Sequence, residues 1–236
     1  MRARWGHALI VGGFGIGLGM FLIVVAQKLT DPVTVAIIAS CAPLIATLLE
    51  LAGGTRRLRW NFVLGIGGSV IGGRIATGVA TSPQLGLGSA CAIVSTTLFC
   101  WGSMAASRDF PQLSQFGRTT ITLTGGLVMA VVLFCGADVL GFDVLPSAPV
   151  DQAQVGLLVI FAVLSFGFSQ VLFVSAISKL GVALTSFHIN IAPFYVMVIM
   201  LMLGEAWDWT RALGAGVVAL AVVLAQDRKG MRGAYS

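Results

Sequence analysis

Along this chain the apolar residues come in long runs separated by short polar breaks. Each run is close to the roughly 20 residues that cross a bilayer as a helix. Eight spans are predicted, at about 8–27, 33–52, 61–79, 85–106, 119–141, 155–178, 182–204 and 211–226, with ends that shift by a few residues. Ten-residue segments of alternating polarity are absent, which argues against a transmembrane barrel. The predicted fold class is an all-α integral membrane protein of about eight transmembrane helices.

Composition agrees: 57% of residues are hydrophobic and 10% charged, where a soluble domain carries about 25% charge. The first span has the outline of a secretory signal, with Arg2 and Arg4 before an apolar stretch and Val24-Val25-Ala26 as small residues for cleavage. It is longer than a usual signal core, and another span follows at once, so it is read as a membrane helix.

The basic residues orient the chain, because Lys and Arg near span ends are retained in the cytoplasm. With the N-terminus inside, Arg2, Arg4, Arg56, Arg57, Arg59, Arg108, Arg118, Lys179, Arg228, Lys229 and Arg232 are all cytoplasmic, whereas only Lys28 and Arg211 fall outside. The expected location is a bacterial-type cytoplasmic (inner) membrane, with several crossings and both termini in the cytoplasm. The net charge of +5 is then a topological signal, and no nucleic acid is expected as partner. Cys41, Cys91, Cys100 and Cys135 each sit inside an apolar run without a C-x-x-C pair. They read as small buried hydrophobes, and neither metal, cofactor nor disulfide is expected.

An internal repeat is the most informative feature. "ASCAPLIATLLE", Ala39 to Glu50, aligns with "INIAPFYVMVIM", Ile189 to Met200, each carrying Ala-Pro near the middle of a span. The preceding helices agree in the same register, with Gly17 over Gly167, Leu22 over Leu172, Val24 over Val174 and Ala26 over Ala176. By the charge assignment, the span ending at Lys28 runs outward and the one ending at Lys179 runs inward. Inverted repeats of this kind are common in secondary transporters, whose substrate sites lie near the midplane between the halves.

Three motifs carry a family resemblance. They are "LGEAWDWTRALGAGVVALAVVLA", the mid-helix Ala-Pro in both halves, and "LFCWGSMAASRDFPQLSQFGRT" with an aromatic and small residues before a basic loop. On these the sequence resembles the drug/metabolite transporter superfamily, EamA type. The resemblance implies two inverted repeats of five helices. Residues 84–226 match a complete second repeat, residues 1–79 a partial first repeat of three helices, and 227–236 a cytoplasmic tail. The three helices correspond to the third to fifth of a repeat, so two amino-terminal helices are expected to be absent. Either Met1 is an internal start, which is the preferred account, or this is a shortened relative that works with a partner. The first half also departs in ending with Glu50-Leu51-Ala52-Gly53-Gly54 rather than Gly-Glu.

Candidate site residues follow from polar groups inside spans. Pro43 and Pro193 each leave a carbonyl without its helical partner, which protein or a wet cavity must satisfy. One turn earlier in each helix stands a hydrogen-bonding residue, Ser40 or Asn190. A 3.6-residue period puts Ser186, Asn190, Pro193 and Met197 on one stripe and His188 and Tyr195 on another. Ser40 and Asn190 are expected either to face each other across a central cavity or to bond neighbouring backbone. Histidine as a residue type has an unperturbed pKa near neutral pH, and His188 is read as a proton-coupling group or as a neutral packing residue. Gln170 is a further mid-helix candidate. Arg74 is expected to snorkel to the interface or to attract an anion. All nine acids fall at span ends or in loops, and Glu205 is expected to structure its turn with Trp207 and Arg211. Pairs such as Gly13-x-x-x-Gly17, Gly15-x-x-x-Gly19 and Gly68-x-x-x-Gly72 predict close helix contact.

The expected function is a transmembrane transporter, not an enzyme, exporting small metabolites by alternating access between the inverted repeats. Amino acids and related compounds are the substrate class that the resemblance implies. The expected surroundings are the lipid bilayer and a small-molecule substrate, with a homodimer or a membrane partner left open. The alternatives are a non-transporting subunit that needs a partner and, more remotely, an intramembrane enzyme.

Overall fold

The computed structural model describes residues 5–54, 57–77, 83–139, 149–169, 172 and 190–225. Nine helices make up the described fold, and no strand occurs among the described residues. They are α1 (Trp5–Leu29), α2 (Pro32–Ser40), α3 (Ala42–Ala52), α4 (Trp60–Thr77), α5 (Pro83–Asp109), α6 (Gln115–Val139), α7 (Gln152–Ile160, continuing as a π-helical stretch Phe161–Phe168), α8 (Asn190–Met202) and α9 (Trp209–Ala225). Each predicted span holds a described helix. Of those at 155–178 and 182–204, residues 170–171, 173–178 and 182–189 lie outside the described ones. Three helices, Trp5–Leu29, Gly86–Asp109 and Phe116–Val139, are long and apolar enough to cross a membrane, with the bent pair α2–α3 a fourth.

Helix starts account for several of the acids at span ends. Asp31 caps α2, accepting from the Thr34 amide at 3.0 Å, with Pro32 in the first turn where its missing amide costs nothing. Asp151 and Gln154 form a capping box on α7. Asp208 accepts from the amides of Thr210 and Arg211 at the start of α9. At the other end, α8 stops with Gly204 at φ +98°, with Glu205 N bonded to Met200 O and Gly204 N to Leu201 O. This is a Schellman motif, which needs a residue in the left-handed region. The corresponding end of α3 has Gly54 at φ +68°, so both Ala-Pro helices stop alike although only one carries Gly-Glu. Arg211 bonds Asp31 at 2.9 Å and Asp208 at 3.2 Å. The turn after α8 is therefore shaped by its backbone and by aspartates, which corrects the expected role of Glu205 with Arg211.

Small residues set the helix packing. Helix α1 lies between α5, to which it is antiparallel, and α6, to which it is parallel. A Cβ on Gly15 would stand 2.6 Å from the Cα of Gly102 on α5, and one on Gly17 would stand 2.6 Å from the Met129 side chain on α6. Neither position accepts a larger residue without displacing a helix. Ser95 of α5 adds an interhelical bond to the Gly19 carbonyl at 2.7 Å. Within this contact α1 widens into a π-helical stretch over Gly13–Leu18, the kind of local bulge found inside longer helices.

Among the described helices the most extensive contact joins α4 and α9, which run antiparallel. Their sequences align with Trp60 over Trp209, Leu64 over Leu213, Gly65 over Gly214, Gly67 over Gly216 and Ala76 over Ala225. In this register the contacts exchange. A Cβ on Gly65 would meet Ala225, and one on Gly214 would meet Ala76. A Cβ on Gly72 would stand 2.8 Å from the Gly214 carbonyl oxygen, and one on Gly65 2.9 Å from that of Ala221, which aligns with Gly72. An interface in which residue i touches j, and the equivalent of j touches the equivalent of i, is what a two-fold axis produces.

Candidate functional site

The site begins at the break between α2 and α3, which bend by 45°. Pro43 has no amide to give the Ala39 carbonyl, and its ring crowds the preceding turn. The Cys41 amide turns to Ile38 O at 3.0 Å, so the Ile37 carbonyl loses its regular partner. Side chains replace what the backbone gives up. Ser40 Oγ donates to Ile37 O at 2.7 Å and Cys41 Sγ to the same oxygen at 3.5 Å. From the neighbouring α5, Cys100 Sγ donates to Ala42 O at 3.5 Å, and within α3 itself Thr47 Oγ1 donates to Pro43 O at 2.9 Å. The hydroxyl of Ser40, 1% exposed, is thus committed to the backbone of its own helix.

Asn190, its repeat equivalent at the start of α8, is also 1% exposed, but neither Oδ1 nor Nδ2 has a hydrogen-bond partner among the described residues. Leaving a buried donor or acceptor unpaired costs roughly 1–3 kcal/mol. Pro193 and Met197 are buried with it, while Tyr195 is exposed, so the described part of the predicted stripe is the inward face of α8. Met197 packs in one core cluster with Val33 and Ile37 of α2, Leu44 of α3, Phe62 of α4 and Val218 of α9. That cluster brings together the helices of both halves that carry Ala-Pro and the two that pair at the two-fold contact.

Of the other candidates, Pro43 is half-buried at the break, and Arg74 is exposed in the last turn of α4. Gln170, Ser186 and His188 lie outside the described residues. Three features go beyond what was expected of these residues. Cys41 and Cys100 are hydrogen-bond donors at the break as well as apolar filling. Arg211 ties α9 to the cap of α2. His7 Nε2 meets Asp109 Oδ2 at 2.7 Å, joining the start of α1 to the end of α5. The Asp31-Pro32 pair signals a helix cap in the sequence, but nothing local announces a partner far along the chain.

Fold and site define a multi-pass, all-α membrane protein assembled from closely packed helices with a broken span at its core. Over residues 1–77 the chain matches the model of the EamA-like transporter family, in agreement with the family resemblance of its motifs. A solved structure titled "Crystal structure of protein" is similar in fold, with a TM-score of 0.54 and 19% identity over 100% of this chain and 80% of that one. No curated protein matches the chain. The family is one of membrane transporters of the drug/metabolite type.

Proposed function

We propose that the protein exports small metabolites, amino acids or related compounds, across a bacterial-type inner membrane by alternating access between two inverted repeats, residues 1–79 and 84–226. The observation that carries this reading is the buried amide of Asn190, which has no hydrogen-bond partner among the described residues. A side chain that offers both a donor and an acceptor, held in the core shared by the two halves, is a ready partner for the ammonium or carboxylate of such a substrate. The substrate cavity then involves Ser40, Pro43, Gln170, His188, Asn190 and Pro193, with Asn190 the direct contact and Ser40 holding the break in α2–α3. Proton coupling is assigned to His188, and Arg74 to the membrane interface or to anion attraction. Both termini face the cytoplasm.

The test is counterflow of labelled amino acids in proteoliposomes, comparing the wild-type protein with Asn190→Leu. Flux in the wild type that is lost in the variant, with folding retained, supports the assignment. Undiminished flux in the variant removes Asn190 from the site. Absence of flux for the wild type across the amino-acid panel favours a non-transporting subunit. A His188→Gln variant with an unchanged pH profile of flux would sink the coupling role.

A further inference from the structure

Among the described residues, buried polar side-chain atoms without a hydrogen-bond partner occur on three residues, Ser69, Asn190 and Trp207. Trp207 stands in the turn after α8, whereas Ser69 and Asn190 lie within predicted spans, one in each half of the chain. Ser69 is the tenth of the 18 residues of α4, so it sits midway along the helix. Its Oγ lies beside the Cys41 thiol at the α2–α3 break. That thiol is turned to Ile37 O, and sulfur accepts only weakly, so the hydroxyl gains no full partner there. Cys41 packs on the core cluster that also holds Met197, which shares the stripe of Asn190. The two open groups therefore border one core, to which both halves contribute.

The internal two-fold relation indicates that helix packing requires neither group. In the register of Trp60 over Trp209, Ser69 aligns with Val218, which is 0% exposed and belongs to the same cluster. Asn190 aligns with Ser40, whose hydroxyl is bonded to Ile37 O. In each pair of equivalent positions one member is apolar or satisfied, and the other carries a polar group without a partner among the described residues. A contact that valine fills on one side gains nothing from serine on the other, because a buried hydroxyl without a partner costs free energy that a methyl does not. We infer that Ser69 is a second binding residue for the transported molecule, acting through its hydroxyl together with Asn190. This rests on the transporter reading above, which took Asn190 as the direct contact. Both side chains offer a donor and an acceptor and neither carries charge, so the pair suits the hydroxyl, amide or zwitterionic head of a small polar molecule. A ligand held from both halves favours the arrangement that brings the two groups together, which a contact from one half alone does not do.

The test compares the wild-type chain with Ser69→Val and Ser69→Thr by two readouts. One is the rise in unfolding temperature in detergent on adding each of the common amino acids, and the other is the half-saturation concentration for counterflow in proteoliposomes. Ser69→Val copies the residue at the equivalent position, so without ligand it is expected to match or exceed the wild type in thermal stability. The amino acid that shifts the wild type most is expected to bind Ser69→Val about tenfold more weakly, the worth of one hydrogen bond. Ser69→Thr, which restores the hydroxyl, should stay within about threefold of the wild type. Unchanged affinity in Ser69→Val overturns the proposal and leaves the transporter with Asn190 as its contact. A fall in the ligand-free stability of Ser69→Val also overturns it, because the hydroxyl then has a structural partner. Weakened binding in Ser69→Val, where the wild type binds but gives no flux, supports the binding residue and removes the transporter. A wild type that shows neither thermal shift nor flux with any amino acid overturns both.

Discussion

Helices α1 and α7 are the same helix in two surroundings. Both widen into a π-helical stretch at equivalent positions, and Gly12, Gly15, Gly17 and Gly19 of one align with Ala162, Ser165, Gly167 and Ser169 of the other, yet one is clasped by α5 and α6 while the other buries none of Gln152–Ile160 among the described residues. Sequence sets what a helix can pack against, and the neighbours present decide what it buries. In a membrane this division is sharp, because lipid is as apolar as leucine and close backbone approach, not hydrophobicity, holds helices together. Matched substitutions on the two helices should therefore have very different consequences.

The largest effect is expected for Gly12→Leu against Ala162→Leu. A Cβ on Gly12 runs into the backbone of Thr122, which cannot rotate away, so a leucine there must push α6 off. The cost is expected at about 3 kcal/mol or more, at the upper end for overpacking. At Ala162, exposed on α7, the same leucine should change the stability of the chain by less than about 0.5 kcal/mol. Thermal unfolding of the two variants in one detergent checks this, and equal losses would mean that α7 is packed after all.

Next comes the pair at the Ala-Pro helices. Asn190→Leu replaces a buried amide that has no partner among the described residues by a hydrocarbon of similar size, so it should raise stability by roughly 1–3 kcal/mol while abolishing flux. Ser40→Ala removes a bond to the Ile37 carbonyl and should lower stability by about 1 kcal/mol. Opposite signs at equivalent positions would separate a residue kept for function from one kept for the fold. A loss of stability in Asn190→Leu would show that the amide has a structural partner.

The third comparison uses the two-fold contact itself. Gly65→Ala and Gly214→Ala each introduce a methyl against the facing helix, and each should cost roughly 1–3 kcal/mol. If the axis relates α4 and α9, the two losses agree closely. A large difference between them would break the symmetry.

These pairs also mark what could be seen in the sequence. The spans were legible because their apolar runs have bilayer length, and the break at Pro43 because proline removes a helical bond. The α1–α7 register was legible from a string of matches in one alignment. The α4–α9 register was not, since among 30 glycines the pairing of Gly65 with Gly214 means little until the two are seen in exchanged contacts. The stripe of Asn190, Pro193 and Met197 followed from helical period. That Asn190 has no partner among the described residues while Ser40 bonds the Ile37 carbonyl is a matter of hydrogen-bond geometry that no local pattern records. The Glu205 assignment failed for a related reason: proximity in sequence favoured it, but Arg211 reaches across to Asp31, which already stands at the neighbouring helix start.

That ion pair gives the smallest effect and a further place where the halves differ. Asp31 is equivalent to Gly181, and Arg211 aligns with Phe62 in the register of the last helices, so the tie between α2 and α9 has no counterpart in the other half. Both partners are partly exposed, at 36% and 28% of their side chains, and such pairs contribute about 1 kcal/mol or less. Arg211→Met should therefore lower stability by under about 1 kcal/mol, and the difference from wild type should shrink as salt is added, because screening weakens exposed pairs. A tie this weak, on one side only, can bias a two-fold assembly toward one conformation without locking it. In the transporter reading, Arg211→Met then shifts the balance between the two access states by about fivefold or less, the same 1 kcal/mol expressed as a population. Accessibility of a cysteine at position 190 to water-soluble reagents, with and without the pair, measures that shift. A change far larger than this would mean that the pair does more than close one end of the bundle.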